Sequence, residues 1–270
     1  MIIKNFRNMS NSELNQLSNQ YSGSKLGKTK NDNRAIKPVC NLCGCEKFID
    51  SMNRKKVKCK NCGSVERTRI IMLYLKKFLL PQPGMKVLHL APDYGLSKYF
   101  SSILGNNYVP TDINPDRYTK KGITNVRKLD LCKDLDNWQT ESFDIVVHLH
   151  VLEHIPCNYT AVLIKLNRLL KPGGKHIFGV PVMGKAFLDS FGSLNPDENR
   201  KYFGQQDHIR RFSSSDLKMS LGMVVPVNLD IHLEDEFSEQ ELMQYNIPKS
   251  KWRNYVGSSL FFLDKSDLLL

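Results

Sequence analysis

The stretch KVLHLAPDYG, residues 86–95, decides the fold. It reads as a buried strand that runs into a loop and then into a helix. Working outward, short apolar runs at 108–111, 125–129, 144–149 and 176–180 read as further strands, with helical patterns at 96–104, 159–170 and 214–221. Pro172-Gly173-Gly174 marks a sharp turn before the fifth strand. Strands that alternate with helices argue for an α/β architecture, a parallel sheet wound with helices on both faces. The runs 223–229 and 259–263 supply two more strands at the edge, which predicts a doubly wound, mostly parallel seven-stranded sheet. No internal repeat interrupts this pattern.

The end of the first strand is where nucleotide-like ligands bind in many doubly wound sheets. A dinucleotide site would need G-x-G-x-x-G there, so that the backbone can approach a pyrophosphate. Only Gly95 remains, with Ala91 and Asp93 in the other two glycine places. A pyrophosphate would be repelled by Asp93, whereas a sulfonium cofactor with an amino-acid tail would not. Two more acids stand at successive strand ends. Asp112 can accept both ribose hydroxyls, and Asp130 can accept from an adenine amino group with Leu131 against the ring. One such Asp is ordinarily a turn residue; three at successive strand ends are a poor fit to that explanation.

Upstream, Cys40-x2-Cys43 and Cys59-x2-Cys62 are separated by fifteen residues, and each pair is followed by glycine. That spacing reads as a four-thiolate zinc site with no open position for water, hence a structural one. About 25 residues cannot supply a hydrophobic core, so the metal would replace it. Cys45 is an alternative to Cys43, which pairs symmetrically with Cys62. Cys132 and Cys157 stand alone and read as ordinary thiols. The segmentation is then a polar, flexible arm over 1–36 with a short helix around 12–19, a zinc ribbon over 37–63, a connecting helix over 64–84 capped by Ser64, and the α/β domain over 85–270.

The chain carries a formal charge of +12, which admits a nucleic-acid partner, but its lysines are scattered rather than clustered. No run of about 18 apolar residues predicts a membrane span, and no secretory signal is evident, so the expected location is cytoplasmic.

KVLHLAPDYG, VPTDIN (109–114), LDL (129–131), FDIVVHLHVLEHIP (143–156) and RLLKPGGKHIFGVP (168–181) together resemble the ordered motifs of class I, type 11-like methyltransferases. The cysteine pairs, SVERTRIIMLYL (64–75) and FGQQDHIRRF (203–212) resemble a subgroup with an N-terminal zinc ribbon, often linked to glycan or cell-surface biosynthesis. The resemblance implies a Rossmann-like fold and S-adenosylmethionine as cofactor. It places His89, Ala91, Asp93, Gly95, Asp112, Ile113, Asp130, Leu131 and His148 at the cofactor. The sequence departs from the family at the first loop, where His89, Ala91 and Asp93 stand for an acid and two glycines.

Methyl transfer to a hydroxyl or amine needs an aligned nucleophile and often a base. By alternation His148 and His150 share one face of the fourth strand, near the reacting methyl. The resemblance sets His154 beside the cofactor, as base, as acceptor-orienting group, or as a residue that orders the following helix. A second cluster, Gln205, Asp207, His208 and Arg210, reads either as a substrate site or as an ion-pair cluster bracing its loop. In the first case Asp207 orients His208 as base, and Arg210 with Gln205 holds the acceptor. The leading expectation is a small-molecule acceptor, a sugar or a cell-surface or secondary-metabolite precursor. The alternatives are RNA methylation and a non-catalytic binding module. The missing glycine fingerprint argues against a nicotinamide dehydrogenase.

Overall fold

The computed structural model describes residues 36–51, 53–257 and 259–269. The arm expected over 1–36, with its short helix, lies outside these residues apart from Ile36.

A hairpin of β1 (Phe48–Ser51) and β2 (Arg54–Cys59) opens the described chain. Helix α1 (Glu66–Tyr74) follows and ends in a π-helical turn over Leu75–Leu79. Ser64 does not cap it: Val65 holds the N-cap position without a side-chain bond, and the Ser64 hydroxyl lies 3.1 Å from Cys40 Sγ. The run Ile70-Ile-Met-Leu-Tyr-Leu75 is buried on every side, as an all-round apolar helix must be. One side meets the sheet, and the C-terminal residues Phe237, Leu242, Ile247 and Trp252 join the same apolar cluster.

The main sheet contains β3 (Val87–Leu90), β4 (Tyr108–Asp112), β5 (Arg127–Lys128), β6 (Phe143–Leu149), β7 (Leu170–Gly179) and β10 (Phe261–Asp264). Their order is β10-β7-β6-β3-β4-β5, parallel throughout except for antiparallel β10. Between β3 and β4 lies α2 (Tyr94–Leu104), and between β6 and β7 lies α3 (Tyr159–Arg168). Alternation along β6 sends Ile145 and Val147 toward α1 and α2 and Val146 toward α3, and a register shift between Phe143 and Ile145 turns Phe143 to the Val146 side, so two cores form on opposite faces. The expected double winding is present, as a Rossmann-like mixed sheet.

The strand count differs from the expected seven: six strands pair in this sheet among the described residues. The run 223–229 forms no strand. Val224 and Val225 are buried in the core from a turn after the 3-10 segment Leu221–Met223, and the stretch 214–221 is a series of turns rather than a helix. β5 shrinks to two residues because Asn125 takes a φ of 59°, outside extended geometry. Short pieces outside the sheet, β8 (Leu188–Asp189), α4 (Pro196–Phe203), β9 (Arg210–Arg211) and α5 (Glu239–Gln244), build the loop beyond β7 and the C-terminal cover. Among the described residues, no helix is long and apolar enough to cross a membrane.

Candidate active site

The parallel strands all end on one rim, and a cavity of about 370 Å³ opens there. Its first wall comes from β3 and β4. Ala91 leaves β3 with a φ of 48°, a conformation that bends the chain sharply, while its N–H donates to the Thr111 carbonyl at 2.9 Å. Asp112 ends β4 and lines the cavity. Its Oδ2 accepts from Arg117 Nη2 at 2.8 Å and Tyr118 Oη at 2.7 Å, and its Oδ1 accepts from the Asn114 N–H at 2.8 Å. Three donors fix the carboxylate, and Oδ1, with one bond, keeps acceptor capacity. Beside it Thr111 Oγ1 is buried without a partner, and Ile113 is exposed into the opening. The second wall follows β5: Leu129, Asp130, Leu131 and Cys132, with Asp130 Oδ1 accepting from the Cys132 N–H at 2.9 Å. The far end is formed by His150, Val151, His154, Ile155, Pro156 and Asp207.

Ala91, Asp112, Ile113, Asp130, Leu131, His150, His154 and Asp207 therefore line one cavity. Other expected residues lie elsewhere. His89 is buried under α2, with Nδ1 3.0 Å from the Tyr108 hydroxyl and its ring edge-on to Phe100; burial pushes its pKa down to about 3. His148 is fully buried and does not share a face with His150. Its Nε2 lies 3.1 Å from His176 Nε2 and its ring stacks on Phe178, whereas His150 has left the strand with a φ of 55°. Asp93 caps α2 by accepting from the Leu96 N–H at 3.1 Å, and burial pushes its pKa up. Gly95 faces the cysteine module instead: a Cβ there would stand 2.9 Å from Leu42 Cδ2 and 3.5 Å from the Cys62 carbonyl. Thus Asp93 caps a helix and Gly95 docks the N-terminal module, while Ala91 stays on the cavity wall.

The second cluster is also rearranged. Arg210 is wholly buried. Its Nε donates to Asp189 Oδ2 at 2.5 Å, its Nη1 donates to the Leu152 carbonyl, also at 2.5 Å, and the guanidinium lies over the Tyr159 ring. It staples the β6–α3 loop and has no surface left for an acceptor. Gln205 is exposed and does not line the cavity. Asp207 does not orient His208: His154 Nδ1 is 3.0 Å from the Asp207 carbonyl and 3.5 Å from its carboxylate. His208 is buried, edge-on to His154 at 4.6 Å between ring centres, with its pKa pushed down by burial to about 4. The pKa of His150 falls to about 3, first through burial and then through the Arg67 charge.

Sequence reading missed Glu153, Arg67 and the Arg117–Tyr118 pair. Glu153 stands between two candidate histidines, is wholly buried, and burial raises its pKa to about 8. Arg67 reaches this region from α1, the connecting helix, where nothing in sequence aims it. Arg117 and Tyr118 lie five and six residues past Asp112, a spacing that could have suggested a local carboxylate clamp.

At the N-terminal module, one sulfur from each of Cys40, Cys43, Cys59 and Cys62 lies within 4.8 Å of all the others. Cys45 stands outside the set, near the Lys47 backbone. Four clustered thiols in a tiny core suit a thiophilic cation. Cys132 and Cys157 are not ordinary thiols: a disulfide joins them and ties the Asp130–Leu131 wall to the β6–α3 loop.

Residues 91–178 match the family model for a methyltransferase domain. No curated protein matches the chain. Similar solved structures include a SAM-dependent methyltransferase from Archaeoglobus fulgidus, with 17% identity, 68% of this chain and 86% of that chain covered, and a TM-score of 0.42. Coclaurine N-methyltransferase bound to N-methylheliamine and SAH shows 16% identity, 84% and 66% coverage, and a TM-score of 0.42. The trans-methyltransferase CalH complexed with SAH shows 24% identity, 36% and 32% coverage, and a TM-score of 0.30. The chain thus spans about a third of the length of CalH. The family match and the strand order agree: residues 91–178 resemble a methyltransferase domain and lie in a Rossmann-like mixed sheet flanked by helices.

Proposed function

We propose that the chain as a whole is an S-adenosylmethionine-dependent methyltransferase that methylates an oxygen or nitrogen of a small polar acceptor, such as a sugar or a precursor of one. One observation carries this reading: a single cavity has Asp112 and Asp130 on one side and His150, His154 and Asp207 on the other. The cofactor fits what the cavity offers. Asp112 Oδ1 has room to accept a ribose hydroxyl, Thr111 Oγ1 is a buried hydroxyl lacking a partner, and Leu131 and Ile113 give apolar surface for an adenine ring. Asp130 would accept from the adenine amino group. The cofactor supplies a methyl group already activated on sulfur.

The chain then has to hold the acceptor in line and remove its proton. Positioning can supply much of the rate, because an aligned nucleophile has already lost its rotational and translational freedom. His154 is held by Asp207 through Nδ1, so its Nε2 is the nitrogen left to receive a proton or orient an acceptor. His208 backs this ring and would act through it.

The four clustered cysteines, we propose, hold a structural zinc ion. In this reading residues 37–63 form a zinc ribbon docked through Leu42 onto Gly95, residues 64–84 connect it, and residues 85–270 complete the catalytic domain.

The charge of +12 keeps RNA as the second reading of the acceptor. The test is methyl transfer from labelled cofactor across sugar nucleotides, small metabolites and RNA. Label in a small hydroxylated or amine acceptor supports the first reading. Salt-sensitive label in RNA alone replaces it with the second, and label in no acceptor despite cofactor binding favours a binding module.

A further inference from the structure

We infer that Glu153, His154 and His208 form a site for one divalent first-row transition-metal ion at the edge of the cavity, separate from the cysteine cluster. Each residue offers one ligand atom, and the three atoms lie within 4.8 Å of one another. Ligands of a bound ion at roughly 2.0–2.2 Å stand about 3–4 Å apart, so binding draws the three side chains slightly inward.

The hydrogen bonds around Glu153 call for a cation. The Glu153 side chain is wholly buried and neither carboxylate oxygen has a hydrogen-bond partner. His150 Nδ1 stands 3.4 Å and His154 Nε2 4.0 Å from Glu153 Oε1. Those nitrogens are not donors. A neutral imidazole carries one N–H. In His150 it is Nε2 that meets the Gly257 carbonyl at 3.0 Å, and in His154 it is Nδ1 that meets the Asp207 carbonyl at 3.0 Å. With those tautomers, lone pairs face the buried Glu153 side chain, and a cation between them, or a proton on Glu153, would satisfy both. Arg67 and Arg210 act on Glu153 only from beyond hydrogen-bond distance.

Backbone carbonyls that hold the far N–H of an imidazole are the usual outer support of a metal-bound histidine. Two imidazoles and one carboxylate suit zinc, cobalt, nickel, iron or manganese, and three protein ligands leave positions open. Those positions lie on the His154 side, which lines the cavity. There an ion would polarise an acceptor hydroxyl and lower its pKa, replacing the proton-accepting role that His154 Nε2 has only in the metal-free chain. That use rests on the transferase reading; the binding of the ion does not.

The test titrates Co²⁺ into the full chain with zinc already at the cysteines and reads the visible absorption and the metal content. The expected result is one equivalent of cobalt without a thiolate charge-transfer band, retained zinc, and at least tenfold weaker cobalt binding in Glu153→Gln and in His208→Ala. Glu153→Gln keeps the side-chain shape, so it remains informative if His208→Ala does not fold. No cobalt uptake beyond the cysteines, or uptake unchanged by Glu153→Gln, overturns the site. Absent uptake together with higher stability of Glu153→Gln would assign the cluster to a protonated carboxylic acid. A separate titration with S-adenosylhomocysteine reads the cofactor site, so failure of one assignment is distinguishable from failure of the other.

Discussion

Asp207 holds His154 through its backbone: the carbonyl stands 3.0 Å from His154 Nδ1, nearer than the carboxylate at 3.5 Å. Removing the carboxylate leaves that carbonyl and the tautomer it selects. Asp207→Ala is therefore expected to keep turnover within about tenfold, whereas His154→Ala loses roughly a hundredfold or more. Single-turnover methyl transfer with both variants checks this. Equal losses would return the carboxylate to the centre of the chemistry.

His89 and His176 are buried and neutral, each with its pKa pushed down to about 3. The unfolded chain titrates them near 6.5. As pH falls from about 6.5 toward 3, the unfolded state binds protons that the fold excludes, and stability is lost by up to about 1.4 kcal/mol per pH unit for each histidine. Above that window they contribute no pH dependence. His89→Leu should flatten the acid limb of a urea-unfolding series while leaving cofactor affinity within about twofold. An unchanged limb, or a large loss of affinity, would put His89 at the ligand.

Arg69 is buried and donates to the carbonyls of Ser64, Val57, Tyr245 and Asn246 at 2.8–3.0 Å. It fastens the hairpin, α1 and the C-terminal cover together. Arg69→Met strands four acceptors and should cost about 3 kcal/mol or more in denaturant unfolding. In the same module, Cys43→Ser should lose bound zinc and Cys45→Ser should keep it, as read by metal content.

The Cys132–Cys157 disulfide closes a separation of 25 residues, with Cys132 on the cavity wall. Cys157→Ser, or reduction, should lower stability by about 2–4 kcal/mol and weaken cofactor binding by loosening that wall. Thermal unfolding with and without reductant reads the first effect. A melting temperature unmoved by reductant would count against the bond.

The sheet was legible because β3, β4, β6 and the end of β7 are short apolar runs, with helical patterns between β3 and β4 and between β6 and β7. The run 223–229 was not, since Val224 and Val225 fill the core from a turn and no period separates that from an edge strand. Strand ends placed Asp112 and Asp130 on the rim for the same topological reason. His148 escaped because its partner His176 lies 28 residues away across β6 and β7. Arg210 looked like a loop cation, yet its carbonyl acceptors sit 53 to 58 residues upstream. Cys132 and Cys157 had no spacing signature. In each case the missing information was tertiary adjacency, which composition and periodicity do not carry.

Asp112 is expected to anchor an adenosine cofactor in the rim cavity, and calorimetric titration with S-adenosylhomocysteine reads that contact. Wild-type protein is expected to bind one equivalent with Kd below about 1 mM, and Asp112→Ala to bind at least ~30-fold more weakly, about 2 kcal/mol. No binding by the wild type, or equal binding by Asp112→Ala in a folded protein, would contradict it.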